Sequence, residues 1–320
     1  MLQIKELINE YRSGHFIEEV EIFVGSRLVT LLEQTFNISG ANSVKLFPTQ
    51  GSVSLIFETQ LPTGEAVIRF IEREELYWND VVGMTTANKA GVAVPKLLHH
   101  QSISDTLFMM VVEKINLPTL QSHIENNKHD TQWASVLALN ITKLHKMKKE
   151  GFGGFRYGTF ESTGTREYQR DNILEHRLSK GNQEYVIANQ LLTGEQVKLI
   201  VKRVQNLTFD TLNSFTHGDF YTGNVFYDSA KNHTVIFDFA SALNDPLFDL
   251  ARLSSDLHAK GHDELWNKFV EEYDHIIPIN QDRLRTMQAV VLLKKMINAH
   301  KRENYESAER LREVIAGTLA

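Results

Sequence analysis

Three oxygen-bearing side chains lie in one stretch of the sequence, with a spacing that suits phosphoryl transfer. Asp219 and Asn224 are five residues apart, and Asp238 follows an apolar run, Val235–Phe237. Phosphoryl transfer needs a carboxylate to orient and deprotonate the acceptor hydroxyl, and Mg²⁺ to neutralise charge on the phosphates. Mg²⁺ prefers hard oxygen ligands, of which the protein supplies one or two. The three side chains supply groups of both kinds.

The residues around these side chains predict a loop that runs into a short hairpin. Two strand-like runs, Val225–Tyr227 and Val235–Phe237, lie on either side of a turn at Ser229–Asn232. A hairpin of this kind brings Asp238 back beside Asn224. The sequence therefore predicts that the two oxygen ligands lie together.

The rest of the chain divides into a strand-rich part and a helical part. Residues 1–37 have the periodicity of two helices, and helical periodicity also dominates after residue 115. We therefore predict an α+β protein with an N-terminal lobe at residues 1–115 and a helical C-terminal lobe at residues 116–320. The strand-rich part contains strand candidates at Val53–Glu58, Ala66–Phe70 and Leu107–Glu113, and a helix that Gly91 ends.

Bulk composition excludes several classes of function. The net charge of −6 argues against a nucleic-acid partner, and the densest basic run, Lys143–Lys149, fits the solvated face of a helix. The absence of cysteine excludes disulfides and thiolate sites. No apolar run approaches the roughly 18 residues of a membrane span, and the charged amphipathic start is not a signal peptide. We therefore expect a cytoplasmic protein without a membrane partner; its oligomeric state stays open.

The arrangement of these motifs resembles one enzyme family. His217-Gly-Asp-x-x-x-x-Asn224, an apolar run ending in Asp238-Phe, and Asp245-Pro-x-x-Asp-Leu-Ala are similar to the aminoglycoside phosphotransferase and choline kinase-like family. The resemblance extends over roughly residues 45–255 and implies a bilobal fold like that of the protein kinases. Further segments that resemble the family are Thr63–Arg69, Gly91–Leu98, Phe108–Glu113 and Leu144-His145.

The resemblance implies a role for each residue of the central motif. Asp219 would be the catalytic base. Asn224 and Asp238 would be the magnesium ligands, and ATP is the expected nucleotide, although the sequence does not decide between ATP and GTP. Asp249 is expected to brace the catalytic loop by hydrogen bonds.

The resemblance also implies a nucleotide site in the N-terminal lobe. Arg69 would pair with the phosphates and with an acid on the following helix. Asp80 has about the right position for that acid, although Glu74 and Glu75 are close enough to compete. The phosphate-facing loop would include Gly51 and Ser52, and backbone amides from Val111 through Glu113 to Lys114 would receive the adenine.

Two other features of the sequence have structural interpretations. The glycines of Gly151–Phe155 lack a preceding strand and a following helix, so the segment is interpreted as a connection between the lobes and not as a dinucleotide fingerprint. The thirteen histidines include no His-Glu-x-x-His motif, and this argues against a histidine metal site.

The leading hypothesis is therefore a kinase that uses ATP and Mg²⁺ to phosphorylate a hydroxyl of a small molecule. Aminoglycosides, choline, sugars and homoserine are all compatible acceptors. The acidic run at Glu271, Glu272 and Asp274 could meet a cationic antibiotic, but it fits a solvated helix face equally well. The alternatives are a catalytically silent nucleotide-binding module and a protein kinase; the latter is disfavoured by the short segment between Asp238 and Asp249.

Overall fold

A computed structural model describes residues 29–30, 33, 44–47, 54–164, 170–209 and 212–319 of the chain. Most of the predicted helical region at residues 1–37 lies outside the described residues, and so do Gly51 and Ser52. The chain forms two compact units, residues 1–81 with 95–116 and residues 82–94 with 117–320. The single boundary at residue 115 stays a prediction.

The first unit contains an antiparallel sheet of five strands in the order β1-β2-β3-β5-β4. Strands β2 and β3 pair from Ser54↔Ile71 to Leu61↔Gly64, so a tight turn joins them. Alternate side chains of β2, β3 and β5 are buried in one apolar cluster, as expected for a sheet with one covered face. The strands are β1 Val44–Leu46, β2 Ser54–Leu61, β3 Gly64–Ile71, β4 Leu97–Ser104 and β5 Leu107–Glu113.

Helix α1, Glu74–Lys89, follows this sheet's third strand. Glu74 and Glu75 in its first turn and Lys89 in its last turn carry the charges that the helix dipole favours. Gly91 adopts a left-handed φ of 74° just beyond the helix. Glycine adopts this backbone conformation at a lower free-energy cost than any other residue. The predicted helix end at Gly91 is therefore confirmed.

The second unit is mainly helical. Thr193 forms a capping box with Gln196, and the Asn280 side chain accepts from the amide of Arg283 as a helix cap. Its remaining helices are α2 Leu120–Asn126, α3 Trp133–His145, α4 Lys180–Ala188, α5 Gly194–Gln205, α6 Leu247–Ala259, α7 Asp263–Ile276, α8 Gln281–Lys301 and α9 Tyr305–Leu319, with a π-helical turn at Ile173–Arg177.

The second unit also holds more β-structure than the sequence predicts. The helix-face interpretation of Lys143–Lys149 holds only for its first part, because α3 ends at His145 and Lys148–Glu150 forms a strand. The interpretation of Gly151–Phe155 as a connection between lobes was wrong, because Phe152–Phe155 is a strand within the second unit. Lys148–Glu150 contains only charged residues and Phe152–Phe155 contains two glycines, so neither run has a strand-like composition. The unit contains a five-stranded sheet, β6-β9-β12-β7-β8, and a hairpin, β10-β11, built from β6 Lys148–Glu150, β7 Phe152–Phe155, β8 Ser162–Gly164, β9 Leu212–Thr216, β10 Val225–Asp228, β11 His233–Ile236 and β12 Ala242–Asn244.

The predicted α+β class, strand-rich at the N-terminal side and mainly helical at the C-terminal side, is confirmed. Among the described residues, no helix is long and apolar enough to cross a membrane.

Candidate active site

The predicted hairpin forms and brings the ends of two strands together. Val225 of β10 pairs with Ile236 of β11, and the amide of Phe237 donates to the carbonyl of Asn224 at 3.1 Å. Asn224 precedes one strand and Asp238 follows the other. Both residues therefore lie at the same end of the hairpin.

Asn224 is also tied to the loop that carries Asp219. Its side-chain Nδ2 donates to the backbone carbonyl of Asp219 at 3.0 Å. Because the amide nitrogen is used in this way, the Oδ1 atom points elsewhere and is a suitable hard ligand for a metal. Asp238 has a left-handed φ of 61°, a conformation that costs free energy outside glycine and is frequent at functional sites.

Gly218 is required by the local backbone. Its φ is 82°, and a Cβ at this position would lie 1.9 Å from the carbonyl oxygen of Ala240. The amide of Ala240 donates to the carbonyl of His217 at 3.0 Å, so the segment after Asp238 packs directly on the loop. A residue with a side chain could not occupy this position without moving one of the two segments.

His217 is fully buried and connects the loop to the hairpin. Its Nε2 donates to the carbonyl of Phe237 at 2.9 Å, and its Nδ1 accepts from the amide of Asp219 at 3.2 Å. These two bonds require the neutral ring with its proton on Nε2. Burial lowers the pKa of His217 below its ordinary value, which favours the same neutral form.

Asp249 braces the loop, as predicted. One carboxylate oxygen accepts from the amide of His217 at 2.6 Å and the other from the amide of Gly218 at 2.9 Å. Its side chain is fully buried. Burial by itself raises the pKa of Asp249, but the hydrogen bond from His145 and the other favourable contacts outweigh it and hold the pKa below its usual value.

The brace continues into the helical core. His145 Nε2 donates to Asp249 at 3.0 Å, and the Tyr273 hydroxyl donates to His145 Nδ1 at 2.8 Å. Burial raises the pKa of Tyr273, so the hydroxyl keeps its proton. Helices α3, α6 and α7 thereby fix the orientation of the catalytic loop.

Arg252, which the sequence analysis missed, contacts the predicted base. It lies on α6, and its Nη1 donates to Oδ1 of Asp219. Both side chains remain more than one third exposed, so the pair is accessible to a ligand.

A second missed residue, Asp256, holds the other end of the loop. Its carboxylate accepts from the amide and the hydroxyl of Thr222 at 3.2 and 2.5 Å. Lys260 at 3.0 Å and Lys295 at 3.7 Å balance its charge. Burial raises the pKa of Asp256, but the two lysines and Thr222 outweigh it, and the resulting pKa lies below the ordinary value.

A cavity of about 330 Å³ opens beside Asp219. This volume lies near the lower end of the range for small-molecule binding sites. Two other cavities, of about 410 and 420 Å³, contain none of the predicted catalytic residues. The walls of the cavity beside Asp219, which we call the Asp219 cavity, are formed by Arg177, Asp219, Tyr221, Arg252, Ser255, Asp256, Val291, Lys294, Lys295 and Asn298.

The first unit contains the predicted ion pair. Arg69 Nη1 donates to Asp80 Oδ2 at 2.6 Å, and Asp80 is almost fully buried. Glu74 and Glu75 are exposed in the first turn of α1. Of the three candidate acids, Asp80 is the one seen to form an ion pair with Arg69.

The strand predicted to receive adenine is also present. Val111 lies in β5 opposite Ile68, and the amide of Glu113 donates to the carbonyl of Lys96 at 2.9 Å. The amide of Lys114 donates to the carbonyl of Glu65 at 3.0 Å. The amides of Glu113 and Lys114 are thus engaged within the protein, and the adenine contact stays a prediction.

The acidic run lies away from the Asp219 cavity. Glu271 and Glu272 pair with Lys268 on the same helix, α7, at 3.0 and 2.8 Å. The amide of Ile279 donates to Asp274. These contacts are those of a solvated helix face, the second of the two interpretations of this run. In the part of the chain that the structure describes, no three His, Cys, Asp or Glu side chains form a metal cage.

Comparison with known proteins gives the family. The sequence model of the phosphotransferase enzyme family matches residues 68–286. The chain belongs to this family. A comparison with curated protein sequences gives no match.

Solved structures share the fold at low sequence identity. A thermostable mutant of aminoglycoside phosphotransferase APH(4)-Ia, in a ternary complex with AMP-PNP and hygromycin B, is 14% identical, with coverage of 91% of this chain and 97% of that chain and a TM-score of 0.62. A protein described as a fructosamine-3-kinase from Haemophilus somnus 129PT is 14% identical, with 92% and 99% coverage and a TM-score of 0.60. An ethanolamine kinase of Plasmodium vivax is 11% identical, with 98% and 92% coverage and a TM-score of 0.61.

These findings confirm the main predictions made from the sequence. The resemblance to the aminoglycoside phosphotransferase and choline kinase-like family is confirmed, together with the protein-kinase-like fold. The prediction of an enzyme, a phosphotransferase with an alcohol group as acceptor, is confirmed at the level of the family. Nothing supports the alternative of a catalytically silent module.

Proposed function

We propose that the protein is an ATP- and Mg²⁺-dependent kinase that transfers the γ-phosphate to a hydroxyl group of a small molecule. The observation that carries the proposal is the arrangement of Asp219, Asn224 and Asp238. The hairpin register and the hydrogen bond from Asn224 to Asp219 bring these residues together, and Asp219 lines a cavity. The family match supports the same reaction.

Asp219 is the catalytic base in this proposal. Arg252 engages Oδ1, which leaves Oδ2 to accept the proton of the acceptor hydroxyl as the oxygen attacks phosphorus. The Asp249 brace holds the loop backbone at His217 and Gly218, so the position of the base is fixed before substrate binds.

Asn224 Oδ1 and the Asp238 carboxylate fit a Mg²⁺ ion, because both offer hard oxygen atoms at one end of the hairpin. When bound, the metal would neutralise negative charge on the transferred phosphate. Arg69, oriented by Asp80, would pair with the nucleotide phosphates. Gly51 and Ser52 remain the proposed phosphate-facing loop, and Val111–Lys114 the proposed adenine-binding segment.

The acceptor is proposed to be a small molecule. The similar structures are named for hygromycin B, fructosamine and ethanolamine, which are small hydroxyl compounds. The volume of the Asp219 cavity suits a ligand of this size. A cytoplasmic location, where ATP is abundant, is part of the same proposal.

A binding measurement and a turnover screen together test this function. Saturating AMP-PNP with Mg²⁺ should raise the thermal unfolding midpoint, and the shift should fall when EDTA removes the metal. ADP release should then be measured with a panel of hydroxyl compounds, using GTP in parallel to identify the nucleotide. A protein that neither binds AMP-PNP nor releases ADP with any acceptor would contradict the proposal.

A further inference from the structure

The Asp219 cavity has an excess of positive charge. Arg177, Arg252, Lys294 and Lys295 line it, and its only anionic lining residues within the described chain are Asp219 and Asp256. Four cations and two carboxylates leave two positive charges on the walls. The excess is local, because the whole chain has a net charge of −6.

The two carboxylates are already paired. Asp219 is engaged by Arg252, and Asp256 by Lys260 and Lys295. Arg177 and Lys294 have no carboxylate within ion-pair distance among the residues that the structure describes. Within the described residues, these are the two cavity charges without a carboxylate partner.

The position of Arg177 is unfavourable without an anion. It ends the π-helical turn, and its guanidinium is half-buried, 5.4 Å from the centre of the Phe248 ring. Burial, and then the like charge of Arg252, lowers the pKa of Arg177 to about 10. A bound anion would offset both effects, because it replaces the lost hydration and separates the two guanidinium charges.

Helix α8 presents its cavity-lining residues on a single face. Val291, Lys294, Lys295 and Asn298 are spaced three, four and seven residues apart on α8, which places them on one helical face. Arginine is well suited to bind an oxyanion through two parallel hydrogen bonds, and lysine adds a point charge. The cavity thus combines a hydroxyl-activating carboxylate with two cations available to an anion.

We propose that the acceptor of this enzyme carries an anionic oxyacid group, a carboxylate, phosphate or sulfate, which Arg177 and Lys294 bind while its hydroxyl faces Asp219. This inference rests on the proposed kinase function and names the chemical class of its acceptor. Aminoglycosides, choline and ethanolamine are cations, and the charge of the Asp219 cavity disfavours them. The acidic run on α7 does not offset this, because it does not line the cavity.

Matched acceptors test the inference directly. Glycerate, glycerol 3-phosphate, glycerol and 3-amino-1,2-propanediol share a three-carbon skeleton and differ in charge; hygromycin B adds a cationic antibiotic. We expect turnover to favour the anionic compounds. The variants Arg177→Gln and Lys294→Gln should each raise KM for the anionic acceptor about tenfold and leave kcat and KM for ATP nearly unchanged. Preferred phosphorylation of 3-amino-1,2-propanediol or hygromycin B would overturn the inference while leaving the kinase function intact.

A binding measurement decides the matter even if none of these acceptors is turned over. With AMP-PNP and Mg²⁺ present, inorganic phosphate should raise the unfolding midpoint of the wild type at least twice as much as that of the R177Q/K294Q double variant. General stabilisation by phosphate affects both proteins alike and cancels in the comparison. Equal shifts in the two proteins would overturn the inference, whereas a missing response to AMP-PNP would contradict the kinase function instead.

Two exposed cations provide matched controls. Arg285→Gln removes a charge from the same helix, α8, outside the cavity, and Lys202→Gln removes one from α5. Both should retain the wild-type KM and the wild-type response to phosphate. A response that falls equally in these controls would show that only the net charge matters, and this too would overturn the inference.

Discussion

Arg252 of α6 donates a hydrogen bond from Nη1 to Oδ1 of Asp219, and it also lines the cavity beside that carboxylate. An ion pair with this much exposure contributes at most about 1 kcal/mol to stability. The ion pair matters more for geometry than for stability. It fixes one oxygen of the carboxylate and leaves the other for the proposed acceptor. The same arginine therefore connects the proposed base to the wall that contacts the acceptor.

Replacing Asp219 with Asn should abolish catalysis and preserve nucleotide binding. The amide cannot take the proton of the hydroxyl, so kcat should fall by about 10²–10⁴. ADP release measures the first effect, and the thermal shift with AMP-PNP measures the second. Asp105→Asn, an exposed turn residue, is the control. Turnover at the wild-type rate in D219N would remove Asp219 from the role of base.

Replacing Asp238 with Ala should remove the dependence of nucleotide binding on metal. The variant lacks one of the two proposed oxygen ligands, so Mg²⁺ should no longer tighten the binding of AMP-PNP. Calorimetric titration with and without Mg²⁺ checks this. The exposed Asp282→Ala on α8 should keep the wild-type response. Undiminished enhancement by Mg²⁺ in D238A would contradict the assignment.

Replacing Gly218 with Ala should destabilise the protein by more than about 3 kcal/mol. The new methyl group meets the Ala240 carbonyl in addition to the strained φ. Gly158→Ala separates the two causes, since Gly158 has a φ of 74° and no atom lies within 4 Å of the place that a Cβ would take. The control should cost only about 1–2 kcal/mol. Urea unfolding gives both values, and equal losses would show that the close approach to Ala240 is not limiting.

The neutral state of His217 predicts a pH dependence of stability. In the folded protein its pKa lies below the ordinary value of 6.5, so the unfolded chain binds more protons as the pH falls through 6.5. The free energy of unfolding should therefore decrease on acidification below that pH. His217→Gln should show a smaller decrease between pH 7 and pH 5. The exposed His129→Gln should follow the wild type; an identical pH profile for H217Q would contradict the prediction.

Replacing Asp80 with Asn should weaken ATP use without removing it. Loss of the ion pair leaves Arg69 less well oriented toward the phosphates, so KM for ATP should rise about tenfold. Glu74→Gln is the matched control, because this acid competes with Asp80 in the sequence but is exposed in the structure. Steady-state kinetics with varied ATP measures the effect. A larger rise in E74Q than in D80N would assign the partner of Arg69 differently.

The sequence predicts the elements around the motif because their patterns are local. The runs on either side of Ser229–Asn232 predict the β10-β11 hairpin, and Gly91 predicts the end of α1. The strands β6 and β7 escape prediction because they are built largely from lysine, glutamate and glycine, which are uncommon in strands. Their pairing depends on distant partners such as β9 and β12.

The cavity residues escape prediction for a different reason. Arg177, Arg252 and Lys294 lie far apart in the chain, and each alone has the pattern of a solvated helix residue. Only the packing of α6, α8 and the π-helical turn brings them to one space. Asp256 escapes prediction for the same reason, because its hydrogen-bond partner Thr222 lies 34 positions away in the chain. Asp249 was predicted because it belongs to a motif with a fixed spacing from the loop.

The walls of the Asp219 cavity come mostly from α6, α8 and the π-helical turn; the motif between residues 217 and 238 contributes only Asp219 and Tyr221. If Arg177 and Lys294 bind the acceptor as proposed, the machinery of transfer and the choice of acceptor are encoded in separate parts of the gene. A few substitutions among the residues that line this cavity would then change the acceptor without altering the motif. On the same proposal, the charges at positions 177 and 294 are a better marker of the acceptor than the motif is.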